Sequence, residues 1–320
     1  MRILVTGARG KVGAAAVAAL TDAGHEITAT DLGLPVFEAR PDGVPYIRAD
    51  LTDAGDAFAV VRGHDAVVHA AAIPDPTSSP PHRVFQNNLM AIFNTLEAAV
   101  RSGAARFVNL SSETVPGFIF PERPWVPDYL PVDEQHPIRP QDPYATAKHF
   151  GEQLMDRAVR LSDITCVSLR PSWVQWEGNY EQGIGPCLRE PARSEGFWAY
   201  TDVYDLADAI GLAAAATTPG HEVVYIAAPD IASHESLATL ARRFHGEQAP
   251  AIRSPEEPGG SAISSAKARR LLGYDPRRCW RDYLNDSGRL HPEVRERLER
   301  GETGVQRGRR LTGGGWNRAG

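Results

Sequence analysis

The sequence predicts an α/β fold in which a doubly wound parallel sheet carries a small C-terminal substrate-binding lobe. Three observations lead to this prediction. Short apolar segments alternate with helical patterns, which is typical of βαβ units and a parallel sheet. The first apolar segment runs into a glycine-rich turn, and two long stretches rich in Pro and aromatic residues interrupt the alternation at 113–142 and 171–200. The right-handed crossover rule then places helices on both faces of the sheet.

Hydrophobic periodicity defines the individual elements. Apolar runs of strand length occupy residues 2–6, 26–30, 45–48, 66–71, 106–111, 165–170 and 222–227. Helical patterns occupy residues 12–23, 53–62, 83–102, 143–161, 203–216, 235–244 and 264–271. We therefore assign residues 1–170 and 203–230 to the sheet domain and residues 171–202 and 231–290 to the small lobe. Residues 291–320 hold scattered arginines and glycines with little apolar pattern, which predicts a flexible tail.

Composition narrows the possible classes of function. The 320 residues are 42% hydrophobic, which is enough for a sizeable core, and their net charge is −6. An acidic chain lacks the basic field that nucleic acids or membrane surfaces require, so we expect neither as a partner. No apolar run approaches the roughly 18 residues of a membrane helix, and no signal-peptide pattern follows Met1, which predicts a cytoplasmic protein. The three cysteines (Cys166, Cys187 and Cys279) suggest reduced thiols, and no metal-ligand spacing occurs.

The glycine turn follows the first predicted strand directly. Gly7, Gly10 and Gly13 precede an Ala-rich helical stretch, so the chain forms a strand, a tight turn and a helix N-terminus. Such a terminus presents free N–H groups and the positive end of a dipole, which suit a pyrophosphate. Gly7 permits the sharp turn, Gly10 permits close approach of a phosphate, and Gly13 permits helix–strand packing. A glycine triplet alone also fits a structural loop without a ligand.

The second predicted strand ends in Asp31, where a carboxylate can accept hydrogen bonds from adenosine ribose hydroxyl groups. The same carboxylate would repel a 2′-phosphate, which favours NAD over NADP. Arg9 and Lys11 lie in the glycine turn, and either side chain can reach such a phosphate, so NADP remains the less favoured alternative.

Further cofactor candidates follow the next strands. Asp50 and Leu51 follow the third strand, where a carboxylate can meet the adenine amino group. The fourth strand runs into His69 and then Ala70 to Ala72, small residues that let a cofactor lie close to the backbone. Asn88 lies in the helix at 83–102, where a lone Asn is usually exposed or a local packing choice.

A catalytic constellation follows the fifth strand. Ser111 and Ser112 lie at its carboxyl end, and Asp142-Pro143 opens a helix that carries Tyr144 and Lys148. Positions i and i+4 share a helix face, so the ammonium and an oxidised nicotinamide would both lower the tyrosine pKa. The phenolate can then take a proton from a substrate hydroxyl as hydride leaves the carbon, while serine holds the same oxygen.

The two long loops follow carboxyl ends of sheet strands, where ligands bind in open α/β sheets. This position predicts that they form the substrate pocket, although an additional hydrophobic cluster is the alternative. The candidates for the pocket wall, together with Ser112, are Glu113, Trp173, Gln175, Trp176, Asn179 and Tyr200.

With these residues the sequence resembles the extended short-chain dehydrogenase/reductase family, which contains NAD-dependent sugar epimerases and dehydratases. The motifs that carry the resemblance are TGARGKVG at 6–13, Asp31, Asp50-Leu51, HAAA at 69–72, Asn88 with Asn94, LSSETVPG at 110–117, YATAK at 144–148, LRPSWV at 169–174, TDVYDLADAI at 201–210 and SSAKARRLLGYDP at 264–276. The resemblance implies a Rossmann domain, Tyr144 as acid/base, Lys148 as ribose contact, Ser112 as contact to the substrate hydroxyl and Pro171 beside the nicotinamide. It also implies a homodimer built from helices 83–102 and 143–161.

The residues predicted to contact NAD are Gly7, Arg9, Gly10, Lys11, Val12, Gly13, Asp31, Asp50, Leu51, His69, Ala70, Ala71, Asn88, Ser111, Tyr144, Lys148 and Pro171.

Departures from the family pattern bear on the substrate. Sugar-nucleotide epimerases typically have V-Y-G after the serine, whereas Pro116 follows Val115 here, and Trp198 stands where they have a diphosphate-gripping arginine. Arg189 or Arg193 are possible substitutes. Dehydratases carry T-D-E where this chain has Ser112-Glu113-Thr114, so the base that removes the C5 proton of the substrate would be missing here. Compact sugar-acid dehydrogenases of the family also have a small lobe, so they fit the shape of this chain better. This last step is an argument by analogy.

The sequence therefore predicts an NAD-dependent oxidoreductase that acts on a secondary alcohol or ketone of a sugar-like or small polar cyclic substrate. A nucleotide-sugar epimerase with retained NAD is the alternative. A non-catalytic NAD-sensing regulator is a third reading, although such proteins often lose the tyrosine or the lysine that this chain keeps.

Overall fold

The computed structural model describes residues 1–33, 43–253 and 260–302. Its strands are β1 (Arg2–Thr6), β2 (Glu26–Asp31), β3 (Tyr46–Arg48), β4 (Ala66–His69), β5 (Arg106–Leu110), β6 (Tyr129–Leu130), β7 (Thr165–Pro171), β8 (Trp173–Gln175), β9 (Tyr200–Asp202), β10 (His221–Ile226) and β11 (Ala251–Ile252). Seven of them form one parallel sheet in the order β10-β7-β5-β4-β1-β2-β3. The pairs β6–β11 and β8–β9 form two small parallel sheets.

Helices cover both faces of the seven-stranded sheet. They are α1 (Lys11–Asp22), α2 (Ala54–Val61), α3 (Pro81–Ser102), α4 (Pro143–Leu161), α5 (Tyr180–Arg189), α6 (Val203–Ala215), α7 (Leu237–His245), α8 (Ala266–Leu272) and α9 (Pro292–Glu299). Leu20 of α1 and Leu206 of α6 pack with Val5 on one face. Leu96 of α3 and Met155 of α4 pack with Leu4 on the other face. The predicted doubly wound α/β fold is confirmed.

A second hydrophobic core is built mostly from residues outside the seven-stranded sheet. Its largest members, all fully or almost fully buried, are Tyr180, Phe197, Trp198, Tyr200, Tyr225 and Trp280. Most of them come from the aromatic stretch at 171–200 and from the C-terminal third of the chain. The alternative of an additional hydrophobic cluster therefore describes much of that stretch.

The C-terminal part differs from the predicted tail. Residues 292–299 form helix α9, Val294 is buried in the second core, and Arg297 donates a hydrogen bond to the buried Glu177 at 2.6 Å. The helix carries only two apolar side chains, Val294 and Leu298, which is too few for its periodicity to stand out. The remaining tail residues, 303–320, lie outside the described residues.

Across the described ranges, no helix combines the length and the apolar character that crossing a lipid bilayer would need. The three cysteines are free thiols, with Cys166 buried and the other two half-buried.

Candidate active site

The glycine turn joins β1 to α1 at the carboxyl edge of the sheet. Gly7 has a φ of +64°, and a Cβ there would lie 2.7 Å from the Ala71 nitrogen, so only glycine fits. A Cβ on Gly13 would lie 2.1 Å from the Gly7 oxygen. Helix α1 begins after Gly10 with no side-chain cap, which leaves the N–H groups of its first turn for an anion.

Asp31 lies beside this turn at the end of β2. Its Oδ2 accepts a hydrogen bond from the Arg9 nitrogen at 2.9 Å, and its Oδ1 accepts one from the Leu32 nitrogen at 2.8 Å. The Arg9 guanidinium extends along the loop that follows β2, where its Nη1 would lie 2.5 Å from a Cβ placed on Gly33. Lys11 points elsewhere, with its Nζ 3.2 Å from the centroid of the Trp176 ring. Of the two basic residues, Arg9 is therefore the one beside Asp31.

Two asparagines of α3 hold the loops that follow β3 and β4. The Asn88 Oδ1 accepts a hydrogen bond from the Ile73 nitrogen at 2.7 Å, and its Nδ2 donates to the Ile73 oxygen at 3.0 Å. The Asn94 Nδ2 donates to the oxygens of Leu51 and Thr52 at 3.1 and 2.9 Å. The amide of Asn88 thus holds the backbone of the loop after β4, and its predicted contact with the cofactor stays a prediction.

His69 and Lys148 line a small cavity of about 10 Å³ between β4 and α4. Its other lining residues are Ala71, Ala72, Asn88, Ile92 and Ala147. The His69 Nδ1 lies 3.1 Å from the Thr6 Oγ1. Burial, and to a smaller degree the charge of Lys148, lowers the pKa of His69 to about 3, so this imidazole is neutral.

Tyr144 and Lys148 lie one helical turn apart at the start of α4. Asp142 caps this helix, since its Oδ1 accepts a hydrogen bond from the Ala145 nitrogen at 2.8 Å. The Lys148 Nζ donates to the Leu110 oxygen at 2.5 Å and lies 5.6 Å from the centroid of the Tyr144 ring. The lysine therefore ties the helix to the end of β5.

Ser112 lies next to Tyr144. Its Oγ accepts hydrogen bonds from Thr114, from the backbone nitrogen at 3.2 Å and from Oγ1 at 3.0 Å. Because both contacts use serine lone pairs, the serine proton remains available to a neighbouring oxygen. The structure thus brings together the three predicted catalytic side chains.

Burial controls the ionisation of this group. It raises the pKa of Tyr144 to about 12, while hydrogen bonding to Ser112 acts in the opposite direction. It also lowers the pKa of Lys148 to about 8, against the effect of the Glu152 carboxylate. The phenol is therefore protonated in the protein alone. The predicted lowering of its pKa concerns the state with oxidised nicotinamide beside it and stays a prediction.

A buried ionic network supports the site from behind. Arg170 donates hydrogen bonds to Glu152 from Nε at 2.8 Å and from Nη2 at 2.7 Å, and Ser111 donates to Glu152 at 2.6 Å. The hydroxyl of Ser111, a predicted cofactor contact, is therefore engaged inside the protein. The sequence interpretation missed Glu152 and Arg170. The available signal was the spacing of Tyr144, Lys148 and Glu152 at i, i+4 and i+8, which places all three on one face of α4.

Glu113 is buried directly after Ser112. Burial raises its pKa to about 8. Its nitrogen donates to the Pro171 oxygen at 3.1 Å, and its Oε2 has no hydrogen-bond partner among the described residues. This neutral acid lies between the loops that follow β5 and β7.

The other predicted wall residues have different environments. Trp173 is 42% exposed, whereas Gln175 is fully buried and accepts a hydrogen bond from Asn179 at 2.9 Å. Tyr200 is fully buried, donates to the Asp230 Oδ1 at 2.5 Å and accepts from the Trp280 nitrogen at 2.9 Å. Both of its hydroxyl contacts belong to the second core, which argues against a substrate contact for Tyr200.

Comparison with known proteins gives a consistent set of relatives. A sequence profile described as the NAD dependent epimerase/dehydratase family matches residues 3–185. A UDP-glucose 4-epimerase from Azospirillum brasilense is 27% identical, with 86% of this chain and 87% of that protein covered. A dTDP-glucose 4,6-dehydratase from Streptomyces niveus is 29% identical over 89% of this chain and 90% of that protein. An L-arabinose 1-dehydrogenase (NAD(P)(+)) from Haloferax volcanii is 30% identical over 54% of this chain and 67% of that protein.

Solved structures show the same fold. A short-chain dehydrogenase/reductase superfamily protein from Agrobacterium tumefaciens with bound NAD superposes with a TM-score of 0.68 at 23% identity, covering 94% of this chain and 99% of that one. The UDP-glucose 4-epimerase of Thermus thermophilus in complex with NAD gives a TM-score of 0.64 at 24% identity, covering 90% and 96% of the two chains.

Proposed function

Because the chain belongs to the NAD dependent epimerase/dehydratase family, a family of enzymes, we propose that it is an NAD-dependent oxidoreductase acting on a secondary alcohol or ketone. The proposed substrate is sugar-like or a small polar ring. The observation that carries the proposal is the buried cluster of Ser112, Tyr144 and Lys148 at the carboxyl edge of the sheet that also holds the glycine turn.

The residues present fit NAD. The uncapped start of α1 suits the pyrophosphate, and the backbone approach at Gly7 and Gly13 leaves no room for side chains. Asp31 keeps lone pairs for the ribose hydroxyls and disfavours a 2′-phosphate, although Arg9 lies beside it. When bound, the nicotinamide supplies the site that accepts or donates hydride.

The protein's own groups manage the proton. Tyr144 holds a proton at its phenol oxygen and exchanges it with the substrate oxygen. Ser112 accepts two hydrogen bonds from Thr114, and we expect it to donate its own proton to that oxygen when the substrate is bound. Lys148 places a positive charge on the same helix face and thereby favours the phenolate.

The residues at the proposed substrate end of the site favour a substrate that carries no nucleotide. Trp198, which stands where epimerases have an arginine, is buried and donates from Nε1 to the Ala192 oxygen at 3.0 Å. Arg189, one possible substitute, donates to the Gly288 oxygen at 2.9 Å. Trp198 is thus part of the second core, whereas the exposed Arg189 and Arg193 both remain candidates for gripping a diphosphate.

A nucleotide-sugar epimerase with retained NAD remains the second candidate, because epimerases are among the relatives that cover 86% of this chain. It predicts that purified protein carries cofactor and interconverts UDP-sugars without net NADH. A dehydrogenase instead shows stoichiometric NADH formation. The non-catalytic regulator predicts NAD binding with neither reaction, and it is disfavoured by the intact Tyr144 and Lys148.

The test replaces the phenol hydroxyl. Tyr144→Phe is expected to lower turnover by at least about 100-fold, since it removes the proton carrier. Absorbance of NADH over sugars, sugar acids and cyclic ketones measures the rate. Tyr274→Phe, which removes a buried hydroxyl of another part of the fold, is the control. Equal turnover of Tyr144→Phe and the unmodified protein would contradict the assignment.

A further inference from the structure

The side chain of Lys11 crosses from the glycine turn to a segment on the substrate side of the molecule. Lys11 is the first residue of α1, and its Nζ lies 3.2 Å from the centroid of the Trp176 ring. Trp176 follows β8 and precedes a short 3-10 turn at Glu177–Asn179. The contact therefore joins the proposed pyrophosphate site to the segment 173–179, which carries four of the predicted wall residues.

The ring holds the ammonium without neutralising it. Among the described residues, no carboxylate forms an ion pair with Lys11, and burial lowers its pKa. An aromatic face attracts a cation through its quadrupole and leaves the net positive charge in place. A carboxylate partner would instead cancel that charge. The charge of Lys11 consequently adds to the positive end of the uncapped helix α1.

Trp176 itself is held firmly. The half-buried ring packs against Ala15 of α1 and Val203 and Ala207 of α6. The next residue, Glu177, is buried and paired with Arg297 of α9. The indole is thus fixed from both sides, and its flat face determines where the lysine can lie.

We propose that Trp176 is a positioning residue for the cofactor rather than a wall of the substrate pocket, and that it holds the Lys11 ammonium beside the NAD pyrophosphate. This inference rests on the proposed function, because it requires NAD at the glycine turn. It assigns to the segment after β8 a role in cofactor binding. The predicted small lobe would thereby contribute to the cofactor site of the sheet domain.

Ligand binding tests the proposal without turnover. Lys11→Met and Trp176→Leu are each expected to weaken ADP-ribose binding by about tenfold in calorimetric titration. The double variant is expected to lose no more than the worse single variant, because both changes remove one interaction. Trp176→Phe keeps an aromatic face and is expected to restore most of the affinity. Adenosine, which lacks the pyrophosphate, is expected to bind all variants equally by ligand-observed NMR.

Matched controls separate this role from general damage. Lys267→Met removes a lysine that is paired with Glu222, and Trp173→Leu removes an exposed ring of the same segment. Both are expected to leave the ADP-ribose affinity unchanged. Additive losses in the double variant, or a Trp176→Leu variant that raises only the substrate KM, would overturn the inference. A wild-type protein that binds neither ADP-ribose nor NAD would overturn the proposed function instead.

Discussion

Glu113 shows how strongly a single side chain depends on its surroundings. Its carboxyl group is buried beside Ser112, and burial raises its pKa from 4.5 to about 8. The folded protein therefore keeps a proton between about pH 4.5 and 8 that the unfolded chain releases. Since the folded state binds more protons there, stability decreases as pH rises through this window.

We expect Glu113→Gln to remove this pH dependence. At pH 4, below the pKa of the carboxyl in both states, the amide and the protonated acid are nearly equivalent, so both proteins should melt at nearly the same temperature. At pH 8 the variant should melt higher, by about 2–4 °C for each kcal/mol that ionisation costs the wild type. Thermal unfolding monitored by circular dichroism measures the difference.

Glu122→Gln, which changes an exposed carboxylate of the same loop, serves as the control and should follow the wild-type curve. A Glu113→Gln variant whose melting temperature runs parallel to that of the wild type from pH 5 to pH 8 would show that Glu113 ionises normally.

The catalytic roles of Ser112, Tyr144 and Lys148 stay a prediction, but part of their arrangement was predictable from the sequence. Tyr144 and Lys148 share a helix face by spacing alone, and Ser112 lies two residues after the apolar strand β5. The ion pair between Glu152 and Arg170 was not predictable. Glu152 lies in α4 and Arg170 lies in β7, and the two side chains meet only when the helix packs on the folded sheet. Burial of Tyr200 was missed for the same reason, since Asp230 and Trp280 are distant in the chain.

Helix α3 positions two loops of the proposed cofactor cleft through two buried asparagines. Asn88 satisfies both polar groups of the Ile73 backbone after β4, and Asn94 binds the backbone after β3. A lone asparagine in a helix is ordinarily unremarkable in a sequence. The role of each asparagine here depends on its burial against backbone groups of a loop, which have no partner within a strand.

Removing this support should affect both stability and cofactor affinity. Asn88→Ala leaves the Ile73 nitrogen and oxygen without their partner, which is expected to lower the free energy of unfolding by about 1–3 kcal/mol. The loosened loop after β4 should also weaken NAD binding. Urea denaturation and NAD titration measure the two effects.

Gln86→Ala changes an exposed residue of the same helix and should alter neither quantity. If Asn88→Ala bound NAD as tightly as the wild type, the cleft would not depend on this clamp.

The elements with strong periodicity were predicted well, and the others were not. The seven strands of the sheet and most helices lie within a few residues of their predicted bounds. Helix α5 was missed because it contains Gly183, Gly185 and Pro186, residues that normally disfavour helices. The strands β6 and β11 have two residues each, too few to show alternation.

The outer face of the α3–α4 pair supports the predicted homodimer, which we propose for the whole molecule. Met90 and Phe150 are 36% and 39% exposed, and the rings of Phe85 and Phe150 meet edge to face at 6.0 Å. Exposed apolar side chains clustered on adjacent helices are typical of a protein–protein interface. A second copy of this chain would cover both helices by the same surface on each side.

A charge on this face should separate the subunits. Phe150→Glu is expected to convert a dimer into a monomer of 34.8 kDa, because a carboxylate would be buried without a partner. Light scattering after gel filtration measures the mass.

Phe58→Glu, on an equally exposed phenylalanine of α2, should leave the mass unchanged. A wild-type protein that is already monomeric at micromolar concentration would contradict the proposed dimer.

The ion pair between Glu177 and Arg297 joins residues 120 positions apart, and it bears on how the protein is made. The polypeptide leaves the ribosome from its N-terminus, and domains generally fold in that order. The sheet gains its last strand at Ile226, whereas the second core waits for Trp280 and Val294. During biosynthesis the glycine turn and its sheet can therefore form first. We expect a nascent chain to form the sheet with its glycine turn before the second core is complete.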